Sequence, residues 1–319
     1  MTADDFGLAE EVNAAVETAH RHGIVSAASL MVNGPAAADA VRRARNLPGL
    51  RVGLHVVLVD GASVLSPDRI PALVDRTGRL RSDLFRLGVK IACRNVLRAQ
   101  LRAEIEAQFE RYRQTGLALD HVDAHRHFHL HPIVARELIA AGRRHGIRAL
   151  RIPAEPRMLV ARIDPRSRTS SWVVTACAAV LRAQAQHAGL RMADAVFGLA
   201  WSGALTQARL VGLLDRLPDG LIEIYAHPAV ADRFPGHARG YRYTEELAAL
   251  CAPATRAALR RSGFRLGSYG GECEAEGKTP RTPPASSDAY LISVASSGCS
   301  TSSTLNLPAD AGSCSTVAC

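Results

Sequence analysis

Two periods of apolar and polar positions alternate along the chain. Residues 9–23 (AEEVNAAVETAHRHG) follow the helical period and stop on Gly23. Residues 24–34 (IVSAASLMVNG) read as a buried strand ended by Asn33-Gly34. Residues 35–49 then predict a helix, 50–59 a strand, and 94–116 a long amphipathic helix that stops at Gly116. Further on, 119–125, 148–154, 221–227 and 264–269 read as strands. Helical patterns cover 132–146, with Pro132 at its start, 206–220, and 244–263, broken near Pro253. Repeated strand–helix units up to about residue 270 imply a parallel sheet, either open or closed into a barrel.

Within this pattern the stretch LDHVDAHRHFHLHP (119–132) stands apart. His121, Asp123, His125, His127, His129 and His131 fall on every second position. In an extended segment all six share one face, while Val122, Ala124, Arg126, Phe128 and Leu130, mostly apolar, lie on the other. At about 3.3 Å per residue the row spans roughly 33 Å, so no single ion uses all of it. A neighbouring pair can share one metal, and further ligands must come from elsewhere. His129 and His131 are expected beyond the strand, near the next helix.

Composition narrows the class. The chain has 319 residues, 47% hydrophobic and 22% charged, which is ample for a large core. Its formal charge of +9 is almost all arginine, since Lys90 and Lys278 are the only lysines. No run of five basic residues and no nucleic-acid module occurs, so no nucleic-acid partner is expected. The acidic opening MTADDFG is unlike a signal peptide. The apolar stretch 172–181 (WVVTACAAVL) is too short to span a bilayer, although contact with a membrane surface is compatible with it. Seven cysteines without a CxxC fit a reducing cytoplasm. Residues 1–271 are expected to form the folded domain, and 272–319, rich in Ser, Thr, Pro and Cys, a low-complexity disordered tail without catalytic residues.

Ionisable residues gather where strands end. Asp4 and Asp5 open the chain, His55 sits in GLHVVL, and Asp123 and His125 close the histidine strand. Arg151 lies in LRIP, and His227 ends IEIYAH. A barrel would bring these five units to one mouth. Taken singly, Asp5 reads equally as a helix cap and His55 as a core histidine. Two imidazoles and a carboxylate form a common catalytic metal site, which polarises a carbonyl and lowers the pKa of water. Asp4 and Asp5 are adjacent, so in extended chain they point to opposite sides unless the backbone turns sharply there.

TADDFG, GLHVVL, DHVDAHRHFHLHP, LRIPAEP, YAHPA and RLGSYG, in this order, resemble the YdjC-like carbohydrate deacetylases, which include chitooligosaccharide deacetylases. The similarity covers roughly residues 1–270. AASLMVNGPAAADAV, GLRVGLHVVLVDG and VFGLAWSGAL look most like the hopanoid-biosynthesis-associated branch (HpnK type), thought to deacetylate N-acetylglucosaminyl bacteriohopanetetrol. The resemblance implies a distorted (β/α) barrel with one divalent metal held by Asp5, His55 and His125. It implies Asp4 as general base, His227 as general acid for the leaving amine, and Arg151 as the holder of the acetyl group or oxyanion. Asp123 and His127 would contact the substrate or support the ligands, and Trp201 would stack on sugar or lipid. Family precedent favours magnesium, while the ligand set favours zinc or another transition metal. The expected partner is an N-acetylated amino sugar, free or lipid-linked, acted on by a cytoplasmic enzyme at or near the inner membrane, with a homodimer as one assembly. Members of the family carry apolar residues ahead of TADDFG, so a truncated first strand is expected here. A phosphoesterase on a similar barrel and an inactive sugar-binding remnant are the alternatives.

Overall fold

The computed structural model describes residues 1–167 and 171–272. Its elements run β1 (Thr2–Phe6), α1 (Glu10–His22), β2 (Ala27–Leu30), α2 (Ala37–Arg45), β3 (Arg51–Val56), α3 (Leu84–Cys93), α4 (Asn95–Gln114) and β4 (Leu119–Ala124). A 3-10 turn (His125–Leu130) leads to α5 (Pro132–Arg144), α6 (Arg157–Ile163), α7 (Trp172–His187), β5 (Ala195–Phe197), α8 (Gln207–Leu214) and β6 (Ile222–Ala226). The last are α9 (Tyr243–Cys251), α10 (Pro253–Ser262) and the small hairpin β7–β8 (Gly267–Ser268, Gly271–Glu272). The expected tail falls outside the described residues, apart from the backbone of Glu272.

Local chemistry explains most of these elements. Glu10 and Glu11 open α1 and His20, Arg21 and His22 close it, matching the helix dipole at both ends. Pro132 and Pro253 occupy first helical turns, where a missing N–H costs nothing. Gly263 ends α10 in the left-handed conformation. The helix α3 was not signalled by the pattern, and 148–154 forms only isolated bridges instead of a regular strand.

Six parallel strands make one sheet in the order β4-β3-β2-β1-β6-β5. Its two edges are then joined. The segment 149–154 bridges to β4 through Val122 and Leu150, and to the chain leading into β5 through Ala149 and Arg191. Leu150 N–H donates to the Arg191 carbonyl, and Val196 N–H to the Ala154 carbonyl. This extended segment acts as a seventh stave and curls the sheet into a barrel, as the repeated units implied. The expected truncated first strand is a five-residue strand at the centre of the sheet, paired with β2 and β6.

Two kinds of interior result. Leu54, Val122, Ala124 and Ile224 belong to the large apolar layer between strands and helices, with Val16, Leu101, Ile105, Leu138 and Leu210. Inside the barrel the neighbours are polar. His121 lies 3.1 Å from Ser29 Oγ and 2.9 Å from Asp120, and Thr2 donates to Glu223 at 2.8 Å. A Cβ on Gly53 would meet the His121 ring at 2.5 Å, so only glycine admits that imidazole.

Candidate metal centre and catalytic cavity

A cavity of about 960 Å³ opens at the C-terminal ends of the strands. Asp4, Asp5, His55, His125, His127 and His227 all line it. A second cavity of about 690 Å³ lies at the other end of the barrel, against Thr2, Ile222 and Ile224, where no described metal-binding cluster occurs. The C-terminal end is therefore the chemical one.

The two aspartates reach it because the backbone turns. Asp5 sits in the left-handed region with φ 61°, and the pairing of β1 with β2 shifts register between Ala3 and Phe6. Asp5 O accepts from Leu8 N–H, and Asn13 Oδ1 accepts from Gly7 N–H at 2.7 Å, which holds the turn. Asp4 then points at Arg151 while Asp5 points at two imidazoles. His125 Nδ1 lies 3.1 Å from Asp5 Oδ1, and His55 Nε2 lies 3.4 Å from it. The ligand atoms of Asp5, His55 and His125 all lie within 4.8 Å of one another.

His55 is oriented from behind. It stands opposite Asp123 in the β3–β4 register, and its Nδ1 lies 2.9 Å from Asp123 Oδ1. That leaves Nε2 turned to Asp5, the arrangement by which a carboxylate fixes a metal-binding histidine. Burial opposes a charged His55, but Asp123 and Asp5 outweigh it and push the pKa up to about 10. Burial also opposes ionisation of Asp5, yet His125, His55 and His227 hold its carboxyl well below the usual range. Without an ion this cluster keeps a proton; a divalent cation would replace it with the same charge logic. Two imidazole nitrogens, one carboxylate and a supporting carboxylate fit such an ion. A second grouping, Asp4, His55 and Asp123, is also close enough, but Arg151 already claims both of its carboxylates.

Arg151 corrects one expectation. It is fully buried, and its guanidinium donates to both oxygens of Asp4 at 2.6 and 2.9 Å and to Glu223 at 2.8 and 3.0 Å. It also pairs with Asp123 and lies 4.7 Å from the centre of the Tyr225 ring. All its donors are spent, so it cannot hold an acetyl group or oxyanion; it fixes Asp4 instead. Asp123 is wholly buried and does not line the cavity; of its two expected roles, its contacts with His55 and Arg151 fit support of the ligands. Trp201 is 1% exposed and donates to Ser167, so it is a core residue and not a stacking platform.

The histidine row divides. Strand β4 ends at Ala124, and Arg126 and His127 follow with φ of 53° each. His125 enters the metal cluster. His127 turns to Tyr225, with its Nε2 2.9 Å from the hydroxyl, and burial and Arg151 keep it well below the ordinary imidazole pKa. His129 lies 2.9 Å from the Arg151 carbonyl, and burial drives its pKa down to about 4. All four non-glycine residues with positive φ among the described residues, Asp5, Asp60, Arg126 and His127, line the cavity. Such backbone costs on the order of 1 kcal/mol each, and it concentrates where function fixes geometry.

Across the cavity, His227 packs edge-on against Tyr225 and Tyr241, and its buried Nδ1 has no partner among the described residues. Its backbone N–H donates to Glu246, a carboxyl that burial raises. Glu223, Tyr225 and Glu246 were not singled out from the sequence. Glu223 and Tyr225 share the parity of His227 in LIEIYAH, so a charged residue two positions behind a strand-end histidine was a usable signal. Glu246, in a helix of ordinary composition, left none.

The model of the family described as YdjC-like protein matches residues 1–261. A carbohydrate deacetylase of Geobacillus stearothermophilus is 30% identical over 272 residues, spanning 84% of this chain and 95% of the relative. A carbohydrate deacetylase of Mus musculus is 32% identical over 291 residues, 83% of this chain and 92% of the relative. A chitooligosaccharide deacetylase of Serratia marcescens is 30% identical over 272 residues, covering 84% and 96%. Among solved structures, a protein of Enterococcus faecalis V583 described provisionally as a cellobiose-phosphate cleavage protein has the same fold. Its TM-score is 0.67 at 21% identity, over 84% of this chain and 96% of that one.

Proposed function

The chain belongs to the YdjC-like family, and we propose that its cavity hydrolyses the N-acetyl group of an N-acetylglucosamine unit. One observation carries the reading: Asp5, His55 and His125 converge in a sugar-sized cavity with Asp4 beside them on a fixed arginine. When bound there, a divalent ion supplies Lewis acidity toward the acetyl carbonyl and acidifies water. The donor set suits zinc or another transition metal, while the family resemblance points to magnesium. The relatives named as carbohydrate and chitooligosaccharide deacetylases support the substrate class.

The chain's own residues then divide the work. Arg151 grips both oxygens of Asp4 and so fixes this cavity-lining carboxylate in place as the base that takes a proton from the attacking water. The water oxygen bonds to the acetyl carbon and the C–N bond breaks. His227, facing the cavity from β6, gives a proton to the departing amine. Asp123 keeps the His55 ring from turning. Products are acetate and the free amino sugar. The resemblance to the hopanoid-associated branch makes a lipid-linked glucosamine the finer reading of the acceptor.

Acetate release from chitobiose and from an N-acetylglucosaminyl lipid, with and without chelator, tests this. Chelator-sensitive release, lost in His125→Ala and restored in the wild type by one of zinc or magnesium, is expected. Release that survives both the chelator and His125→Ala would sink the metal-centred reading. No release from either compound after metal restoration would favour the inactive remnant.

A further inference from the structure

Two helices beside the cavity present apolar side chains to solvent. On α3, Leu87, Gly88 and Ile91 face inward, while Phe85 is 80% and Val89 51% exposed on the opposite side. At the start of α7, Trp172 is 76% and Val173 48% exposed. Both helices flank the turn that carries His125. Helix α7 packs on that turn, and a Cβ on Gly88 of α3 would touch His131 at 3.2 Å. The next residue of α7, Val174, lines the cavity together with Leu130. On α7 the apolar surface is therefore continuous with the mouth of the site. Exposed groups of this size, next to a pocket, mark a surface that meets an apolar partner.

Charge says which partner. Residues 84–103 contain five basic and no acidic residues, and residues 165–192 contain no acidic residue at all. Lys90 and Arg94 are exposed beside the apolar stripe, without an acidic partner among the described residues. Of the five basic residues, Arg86 pairs with Asp83 and Arg102 with Glu137. A helix with an apolar stripe and a cationic flank is built for the interface of an anionic bilayer. No described helix is long and apolar enough to cross one.

We propose that α3 and the start of α7 dock the protein on an anionic phospholipid surface, with the cavity mouth turned toward it. Phe85, Val89, Trp172 and Val173 enter the headgroup–acyl boundary, and Lys90 and Arg94 meet lipid phosphates. The docking stands apart from the reaction, since it is read without substrate.

The test uses the full chain with phosphatidylcholine vesicles, with and without phosphatidylglycerol. Sedimentation with the anionic vesicles only, weakened by salt, is expected. The chain has two tryptophans, and Trp201 is buried, so a blue shift of fluorescence on binding reports Trp172. Lys90→Gln with Arg94→Gln should lower partitioning about thirtyfold, from about fivefold per basic residue. Phe85→Ser with Trp172→Ser should abolish it, with the unfolding midpoint unchanged because both residues are exposed. Equal binding to neutral vesicles, or none to either kind, overturns the proposal. So does self-association that the Phe85→Ser, Trp172→Ser variant dissolves, which would make this face a contact between copies of the chain.

Discussion

The inside of the barrel and the layer around it are held by opposite means. Around it, aliphatic side chains such as Leu54, Val122, Leu138 and Leu210 pack without a polar atom to satisfy. Within it, one guanidinium pairs with Asp4, Asp123 and Glu223, His55 and His121 add to its hold on the last two, and Tyr269 and Thr2 add hydrogen bonds to Glu223. An apolar layer tolerates change of shape as long as volume is kept. A buried charge network tolerates no missing partner, because each orphaned carboxylate carries its whole desolvation cost. The price of that rigidity is a site whose base and metal ligands share a single scaffold of charges.

Arg151→Met breaks the comparison most sharply. It should cost about 5 kcal/mol in urea unfolding at neutral pH, since three buried carboxylates lose their cation. Its pH dependence should also reverse. In the wild type, burial raises the pKa of Glu223 and Asp123, but Arg151 and the neighbouring imidazoles outweigh it and hold both low. Their stabilisation is present above the ordinary carboxylate range and lost as pH falls through the lowered values. In the variant burial prevails and the pKa values rise, so stability should grow as pH falls from about 7 to about 5. A variant that weakens in acid as the wild type does would show that Arg151 is not what holds these groups ionised.

Leu138→Ala makes the matching cut in the outer layer. Leu138 is fully buried on α5, and the truncation should cost about 3 kcal/mol with no change in the shape of the pH profile. A pH-dependent loss would mean that the two interiors are coupled. The smallest effect repeats the arginine–carboxylate chemistry at the rim. Arg126 and Asp60 pair at 2.7 Å with side chains 48% and 46% exposed, so Asp60→Asn should move stability by less than about 1 kcal/mol. A larger loss would show that burial is not what separates the two kinds of ion pair.

The same division governs what could be read from the chain. The outer layer writes itself into periodicity, and most strands and helices were legible from it. Strand-end polarity also brought Asp5, His55 and His125 into view, and the structure gathers them. Helix α3 escaped because LFRLGVKIAC is short, carries Gly88 at its middle and sets Phe85 and Val89 among the polar residues of its outer face. Arg151 was visible as a strand-end residue, but its task depends on carboxylates from β1, β4 and β6. No local pattern records which charges meet across a barrel. Trp201 looked like a ligand contact because tryptophan suits an amphiphile, and only tertiary packing shows it covered. The even spacing of the histidines continues past Ala124, whereas the strand does not. Two left-handed residues, Arg126 and His127, end the alternation.

Gly53 and His121 occupy what is in effect one volume, divided so that one residue supplies no side chain and the other a whole ring. Their histories are therefore bound together. A side chain can arrive at position 53 only after the imidazole at 121 has gone, and the reverse order passes through a clash. Homologous chains with a side chain at position 53 should lack the imidazole at 121, and a library that randomises position 53 alone will return only glycine there.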